Sequence, residues 1–229
     1  MRLRLLLLFL IGLAVALVVV KYWRTDMLYQ AKLARQVAAD AAAPEGSVVF
    51  LGNSIIEGLD ASAVAPDALN LGISGDTSRG LLARLDRYTS LAAARAIVLE
   101  IGINDLVHGD GGEVIANYRR ILARLPKEPR IYLLGLLPID EKAFIAAYGN
   151  LATNPEIARI DVAARELCRQ RGNCVLLQPF GAGGLPPEYH TGDGLHLNAA
   201  GYAALATAIK VALATPVGAE AAQPATPRP

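Results

Sequence analysis

The stretch Ser47-Val-Val-Phe-Leu-Gly-Asn-Ser54 is a short apolar run that ends in a glycine and two polar residues. A short apolar run that stops at a turn-forming glycine favours a strand buried on both faces of a parallel sheet. Ligands of such sheets bind beyond the carboxyl ends of the strands. Asn53 and Ser54 therefore follow the predicted strand at the edge of the sheet where chemistry is expected.

Four further apolar runs alternate with helix-like segments along the chain. The predicted strands span residues 47–51, 68–71, 96–101, 130–137 and 175–177. The predicted helices span 77–91, 113–125 and 157–171, and a last helix begins after the cap residue Asn198. This alternation predicts an α/β fold in which helices cover both faces of a five-stranded parallel sheet. Residues 139–155 have no predicted structure and are expected to form a wall of the cleft.

A serine, a histidine and a carboxylate have the spacing of a possible catalytic group. Ser54 needs a base, because a free serine hydroxyl is a poor nucleophile. His196 is one of three histidines, and Asp193 lies three positions earlier in a turn that contains glycine. We expect Asp193 to hold one ring nitrogen while the other nitrogen faces Ser54, as in a triad. The alternative is that His196 begins a helix without a partner.

Three groups are candidates to hold an oxyanion. They are the backbone N–H of Ser54, the backbone N–H of Gly75 and the side-chain amide of Asn104. Gly75 has no Cβ, so a substrate can approach its backbone closely. Gly75 and Asn104 also have ordinary roles, in a tight turn and in capping a loop. Their common position after predicted strands favours the functional interpretation.

Four blocks of this sequence resemble those of the SGNH hydrolases, also called GDSL esterases, over about residues 47–213. The blocks are Leu51-Gly-Asn-Ser-Ile-Ile-Glu-Gly58, Asn70-Leu-Gly-Ile-Ser-Gly-Asp-Thr77, Gly102-Ile-Asn-Asp105 and Asp193-Gly-Leu-His196. The resemblance implies a flavodoxin-like three-layer α/β/α sandwich. It also implies Ser54 as nucleophile, Asp193 and His196 as acid and base, and Ser54, Gly75 and Asn104 as the oxyanion hole. Residues 75–77 and 134–138 are similar to the platelet-activating-factor acetylhydrolase-like branch.

One residue departs from the family pattern. The family usually has aspartate just before the nucleophile, and this chain has Asn53. Asparagine has nearly the same shape but no charge, so the turn is expected to survive while the local charge changes. The Gly-x-Ser-x-Gly elbow of the α/β-hydrolases is absent around Ser54, which favours the SGNH family.

The N-terminus predicts a membrane anchor over residues 1–24. Two arginines precede the apolar run 5–20, and Lys21, Tyr22, Trp23 and Arg24 follow it. Residues 5–23 as a helix approach the ~30 Å hydrocarbon core of a bilayer. The predicted location is the bacterial inner membrane, crossed once, with the rest of the chain in the periplasm. The alternatives are a signal peptide cleaved at Ala14-Val-Ala16, which gives a secreted protein, and a buried core helix.

The remaining segments complete the predicted organisation. A helical stalk spans 25–45, the hydrolase domain spans 46–213, and a tail rich in proline and alanine, 214–229, is expected to be disordered. Cys168 and Cys174 suit a disulfide in an oxidising compartment, and two unrelated thiols are the alternative. The net charge of +1 without a basic stripe disfavours a nucleic-acid partner. We expect no metal or organic cofactor, and the oligomeric state is left open.

The sequence therefore predicts a serine esterase that acts on small-molecule or glycan esters with acetyl or short acyl groups. An O-acyltransferase acting on an envelope glycan would use the same residues. A non-catalytic envelope module that binds a glycan or a protein is the third alternative, which Asn53 and the stalk favour.

Overall fold

The computed structural model describes residues 2–149, 152–181 and 184–215, apart from the side chains at 2–10, 14, 18 and 22. The chain divides into two units, residues 1–39 and residues 40–229. Within the part of the chain described in this way, no helix combines the length and the apolar character that crossing a membrane requires. The side chains of residues 5–10, 14, 18 and 22 in the predicted anchor, and residues 216–229 of the predicted tail, lie outside the part of the chain that the structure describes.

The second unit is built on a parallel sheet of five strands in the order β2-β1-β3-β4-β5. The strands are β1 (Val48–Gly52), β2 (Leu69–Gly72), β3 (Ala96–Glu100), β4 (Arg130–Leu134) and β5 (Cys174–Leu177). This order is that of flavodoxin-like folds, which bind ligands where the strand order reverses, between β1 and β3. The predicted five-stranded parallel sheet is therefore confirmed.

Helices precede, connect and follow the strands. They are α1 (Arg2–Ala41), α2 (Ser54–Gly58), α3 (Ser78–Arg84), α4 (Ile103–His108), α5 (Val114–Arg124), α6 (Glu141–Tyr148), α7 (Asn154–Arg171) and α8 (Ala199–Ala214). The predicted cap of the last helix is confirmed, because the Asn198 side chain accepts a hydrogen bond from the N–H of Gly201 at 3.0 Å.

The core lies on both sides of the sheet. On one face Phe50 packs in a buried cluster with Ile56 of α2 and Leu205 of α8. Side chains alternate between faces along a strand, so Leu51 and Leu99, which are also fully buried, point to the other face. Helices α3, α5 and α7 pack side by side in that second layer. The sheet with its helices is thus an α/β sandwich.

The predicted helix 77–91 is wrong in its second half. Helix α3 ends at Arg84, and two short 3-10 turns follow, Leu85–Arg87 and Ser90–Ala92. The Asp40 carboxylate accepts hydrogen bonds from the backbone N–H of Thr89, at 2.6 Å, and from its hydroxyl, at 2.9 Å. Because the Thr89 N–H donates to Asp40, it cannot donate to a carbonyl of a continuing α-helix.

Strand 130–137 was also predicted too long. The N–H of Gly135 makes the last ladder bond, to the carbonyl of Leu177, where β5 ends. The next N–H, that of Leu136, donates to the carboxylate of Asp161 in α7 at 3.0 Å. A side chain from a neighbouring helix therefore replaces the strand partner.

Helix α6 has no counterpart in the prediction. Asp140 caps it by accepting from the N–H of Ala143 at 3.0 Å, and Gly149 ends it with a φ of +65°. Helix α7 begins three residues earlier than predicted, because Thr153 caps it and Pro155 occupies its first turn. Both helices begin at capping residues, which a prediction based on the pattern of apolar residues does not detect.

Cys168 and Cys174 form a disulfide. It joins the last turn of α7 to the first residue of β5 across the turn at Gly172. Of the two alternatives drawn from the sequence, the structure therefore has the disulfide.

Candidate active site

Ser54 lies at the first position of α2, directly after β1. The side chain of Asn53 caps this helix by accepting from the N–H of Ile55 at 2.8 Å. The cap turns the chain sharply at the edge of the sheet, and the Ser54 hydroxyl comes within 2.9 Å of Nε2 of His196. The fold therefore brings together two side chains that are 142 positions apart in the sequence.

Asp193 binds the other nitrogen of the His196 ring. Its Oδ2 lies 2.6 Å from Nδ1, while its Oδ1 accepts from the N–H groups of Leu195 and His196, each at 3.0 Å. Burial raises the pKa of Asp193, but the hydrogen bonds from His196, Leu195 and Thr191 outweigh it and hold that pKa below its ordinary value. The carboxylate is thus ionised at neutral pH, and Nδ1 carries the proton that it accepts.

Gly194 allows the loop with Asp193 and His196 to pack against α6. Its φ is +72°, and a Cβ at this position would lie 2.6 Å from the carbonyl oxygen of Asp140 and 2.8 Å from the nitrogen of Phe144. The N–H of Asp140 also donates to the carbonyl of Gly194 at 2.9 Å. Backbone-to-backbone packing therefore determines where the histidine loop sits, and only glycine fits there.

The three predicted oxyanion donors follow three adjacent strands. Ser54 follows β1, Gly75 follows β2 with a φ of +78°, and Asn104 lies in the first turn of α4 after β3. A Cβ on Gly75 would meet nothing within 4 Å, so the space beside its backbone is open. One hydrogen of the Asn104 amide is donated to the carbonyl of Asp76 at 2.9 Å. This bond orients the amide and leaves its second hydrogen for a ligand.

A buried arginine, which sequence reasoning missed, joins the strand ends that carry these donors. Arg84 is 2% exposed, and its Nε donates to the Asp76 carboxylate at 2.7 Å. Its two terminal nitrogens donate to the carbonyls of Leu71 in β2 and Gly52 in β1, each at 3.0 Å. The signal in the sequence was a charged residue on the apolar face of the predicted helix 77–91.

A second buried network lies behind the oxyanion turn and was also missed. The Asp105 carboxylate accepts from the N–H of Ser78 at 2.8 Å and from its hydroxyl at 2.6 Å. Asn117 of α5 donates to the same hydroxyl at 2.9 Å. These bonds link the starts of α3 and α4, so the turn with Gly75 and the helix with Asn104 hold a common position.

Glu100 ends β3 directly beside the serine turn and is 1% exposed. Burial raises the pKa of Glu100 to about 8, against the opposing effect of the nearby Asn53 side-chain amide. This carboxyl group is therefore mostly protonated at neutral pH. An aspartate in place of Asn53 would put a second carboxyl group beside Glu100, and like charges disfavour ionisation. The departure from the family pattern at Asn53 thus avoids a second carboxyl group beside Glu100.

The fold and the hydrogen-bonded side chains at its edge define the class of α/β ester hydrolases. Within it, the chain belongs to the GDSL-like lipase/acylhydrolase family, whose model matches residues 50–204. The chain is an ester hydrolase, and the resemblance noted from its sequence blocks is confirmed. No curated protein matches the chain significantly.

Solved structures of similar fold agree with this assignment. A Streptococcus pneumonia protein whose description names platelet activating factor is 28% identical, with a TM-score of 0.75 over 87% of this chain and 99% of that one. A GDSL-like lipase from Bacteroides thetaiotaomicron is 23% identical, with a TM-score of 0.63 over 79% and 96%. A variant acetyl-xylooligosaccharide esterase from Geobacillus Stearmophilus is 18% identical, with a TM-score of 0.56 over 75% and 95%. At such identities the last two show the fold alone.

The buried ion pair predicts a large stability loss when its cation is removed. Arg84→Met should lower the free energy of unfolding by about 3–5 kcal/mol, because it leaves Asp76 and two strand-end carbonyls buried without this donor. Arg95→Met is the matched control. Arg95 pairs with Asp67 at 2.6 Å, but the two side chains are 47% and 38% exposed. Arg95→Met should therefore lower the free energy of unfolding by no more than about 1 kcal/mol. Urea denaturation measures both, and equal losses would contradict the role given to Arg84.

The raised pKa of Glu100 predicts a pH-dependent effect of Glu100→Gln. In the wild type, the protonated form of Glu100 stabilises the folded state. This stabilisation is complete below the unfolded pKa, about 4.5, and is lost as the pH rises through about 8. Glutamine has no charge to bury, so the variant should gain stability relative to wild type between pH 5 and pH 8. Glu166→Gln is the control, since hydrogen bonds from Arg169 and Gln170 lower the pKa of this exposed group to about 2. Urea denaturation at three pH values checks this, and parallel curves for Glu100→Gln and wild type would refute it.

Proposed function

We propose that this chain hydrolyses carboxylic esters through an acyl-enzyme on Ser54. The continuous chain of hydrogen bonds from Ser54 to His196 to Asp193, at 2.9 and 2.6 Å, is the observation that supports this most directly. His196 Nε2 takes the hydroxyl proton while Oγ attacks the acyl carbonyl, and the ionised Asp193 stabilises the imidazolium that forms. The imidazolium then protonates the leaving alcohol.

Water completes the cycle in the proposed mechanism. His196 removes a proton from a water molecule, which attacks the acyl group on Ser54, and the carboxylic acid leaves as the proton returns to Ser54 Oγ. In both halves of the reaction the carbonyl oxygen becomes negative. The backbone N–H groups of Ser54 and Gly75 and the free hydrogen of the Asn104 amide are proposed to hold it. One such donor contributes ~10²–10³-fold to turnover in other acyl-transfer enzymes.

Acetyl or other short acyl esters are the proposed substrates. Helix α6 brings Tyr148 to within 2.8 Å of the Asp193 carboxylate, so aromatic surface stands beside the histidine. The ring of Tyr148 packs at a tilt of 42° against the buried Phe144, with centroids 4.9 Å apart, which fixes this wall. A comparison of p-nitrophenyl acetate, butyrate and octanoate gives the acyl preference, which should fall as the chain lengthens.

Ser54→Ala should reduce turnover of p-nitrophenyl acetate by at least about 10³-fold, because it removes the hydroxyl that forms the proposed acyl-enzyme. A fluorophosphonate probe should label wild type at Ser54 and leave the variant unlabelled. Ser62→Ala is the matched control, since the Ser62 hydroxyl lies in an exposed turn and bonds only Asp60 in the described structure. Normal turnover in Ser54→Ala would refute the mechanism.

The proposal also places the hydrolase domain outside the inner membrane, anchored by residues 5–23. The apolar run between basic residues supports the anchor, and the disulfide supports an oxidising compartment. The intact chain should then sediment with membranes, and a chain that lacks residues 1–24 should not. N-terminal sequencing of the mature protein separates the alternatives, because cleavage after Ala16 would expose Leu17. An intact chain that remains in the soluble fraction would contradict the anchor.

A further inference from the structure

Tyr148 is a fourth side chain at the acid end of the proposed relay, and no sequence block includes it. Its hydroxyl donates to Oδ2 of Asp193 at 2.8 Å, the same oxygen that accepts from His196 Nδ1 at 2.6 Å. The hydroxyl oxygen is also 3.4 Å from Nδ1 itself. Tyr148 therefore shares one carboxylate oxygen with the proposed base.

This contact differs in origin from the other bonds to the carboxylate. Thr191, Leu195 and His196 donate to it from within the loop 191–196. Among the described residues, Tyr148 makes the one hydrogen bond to the Asp193 carboxylate that comes from another element of the fold. Helix α6 is tied to this loop at both ends, by the bond from Asp140 to Gly194 at its start and by Tyr148 in its last turn.

The geometry points to Tyr148 as a positioning residue that tunes the Asp193–His196 pair and thereby sets the pH range in which the base works. This inference rests on the proposed function, in which His196 accepts the Ser54 proton. The phenol draws electron density from Oδ2, so the carboxylate stabilises a protonated His196 ring less than it would alone.

The direction of the effect follows from the two distances. Donation to the anionic oxygen at 2.8 Å is a strong charge-assisted bond, whereas 3.4 Å is too long for the phenol to be a good acceptor from Nδ1. Losing the hydroxyl should therefore favour the imidazolium. Burial and the bond to Asp193 raise the pKa of Tyr148 to about 12, so the phenol remains a donor wherever the enzyme is folded and active.

Another titratable group near the pair is Tyr202 of α8, which is in turn close to Glu57 of α2. Burial, together with the charges of Glu100, Glu57 and Asp193, raises the pKa of Tyr202 to about 12. Tyr202 donates to the carbonyl of Ser54, at 3.4 Å, and Glu57 accepts from the N–H of Ser74. Both groups are held by these backbone partners, so removing the Tyr148 hydroxyl leaves both in place.

The test compares Tyr148→Phe with wild type in the full-length protein. Phenylalanine keeps the ring that packs against Phe144 and removes only the hydroxyl. The first measurement is an NMR titration of labelled histidines in a Ser54→Ala background. The His196 signal is assigned by its loss in His196→Gln. Tyr148→Phe should raise the His196 titration midpoint by roughly half a pH unit or more. With Ser54 intact, the rising limb of kcat/KM should move by the same amount and KM should change little.

Two further variants make the result decisive. Thr191→Val removes a hydroxyl donor from the other oxygen of Asp193, at 2.7 Å, and should move the midpoint in the same direction. Tyr189→Phe removes the hydroxyl of a tyrosine whose ring packs against Phe180. It should leave the His196 titration midpoint unchanged. A shift in Thr191→Val without one in Tyr148→Phe would overturn the inference, and so would a Tyr148→Phe effect confined to KM. The NMR titration needs no activity, so failure of the proposed function would be seen separately, in Ser54→Ala turnover.

Discussion

The guanidinium of Arg84, buried under the sheet edge, is the interaction on which the rest of the site depends. It donates to backbone carbonyls at the ends of β1 and β2 and to the carboxylate of Asp76. The carbonyl of Asp76 in turn orients the Asn104 amide after β3. One planar cation with several fixed donors therefore holds three strand ends in register, which a flexible ammonium group could not do. An unpaired buried charge costs several kcal/mol, so the arrangement tolerates little movement.

The two halves of the site are held by different means. The serine and the oxyanion donors sit on short turns directly after strands, where sheet hydrogen bonds and buried polar networks fix them. The acid and base lie on the loop 191–196, which is joined to its surroundings by the His190–Leu197 bridge, the Asn198 cap and the close contact of Gly194 with α6. The position of the histidine relative to the serine therefore depends on α6 and α8 as much as on the sheet. Tyr148 lies at this junction, where a helix outside the family blocks reaches the carboxylate.

The carboxyl groups near the site divide into two kinds. Asp193 is partly exposed and surrounded by donors, so it remains an anion that can stabilise an imidazolium. Glu100 is fully enclosed, and burial keeps it largely protonated near neutral pH. The neutral Asn53 between Glu100 and the serine turn avoids a second carboxyl group in the same enclosed space. Environment, more than residue type, assigns these groups their charge.

The sequence by itself determined the parallel sheet, the order of its strands along the chain, and the residues that could carry the chemistry. These are local properties: apolar runs that end at glycine, polar residues just after them, and an aspartate three positions before a histidine. Only the tertiary structure decided where the predicted helix 77–91 and strand 130–137 stop, because Asp40 and Asp161 take backbone N–H groups from distant parts of the chain. It also revealed the roles of Arg84, which bonds Asp76 and Gly52, 8 and 32 positions away, and of Tyr148, which bonds Asp193, 45 positions away. A contact between residues far apart in sequence leaves no periodic pattern, so it becomes visible only when the chain has folded.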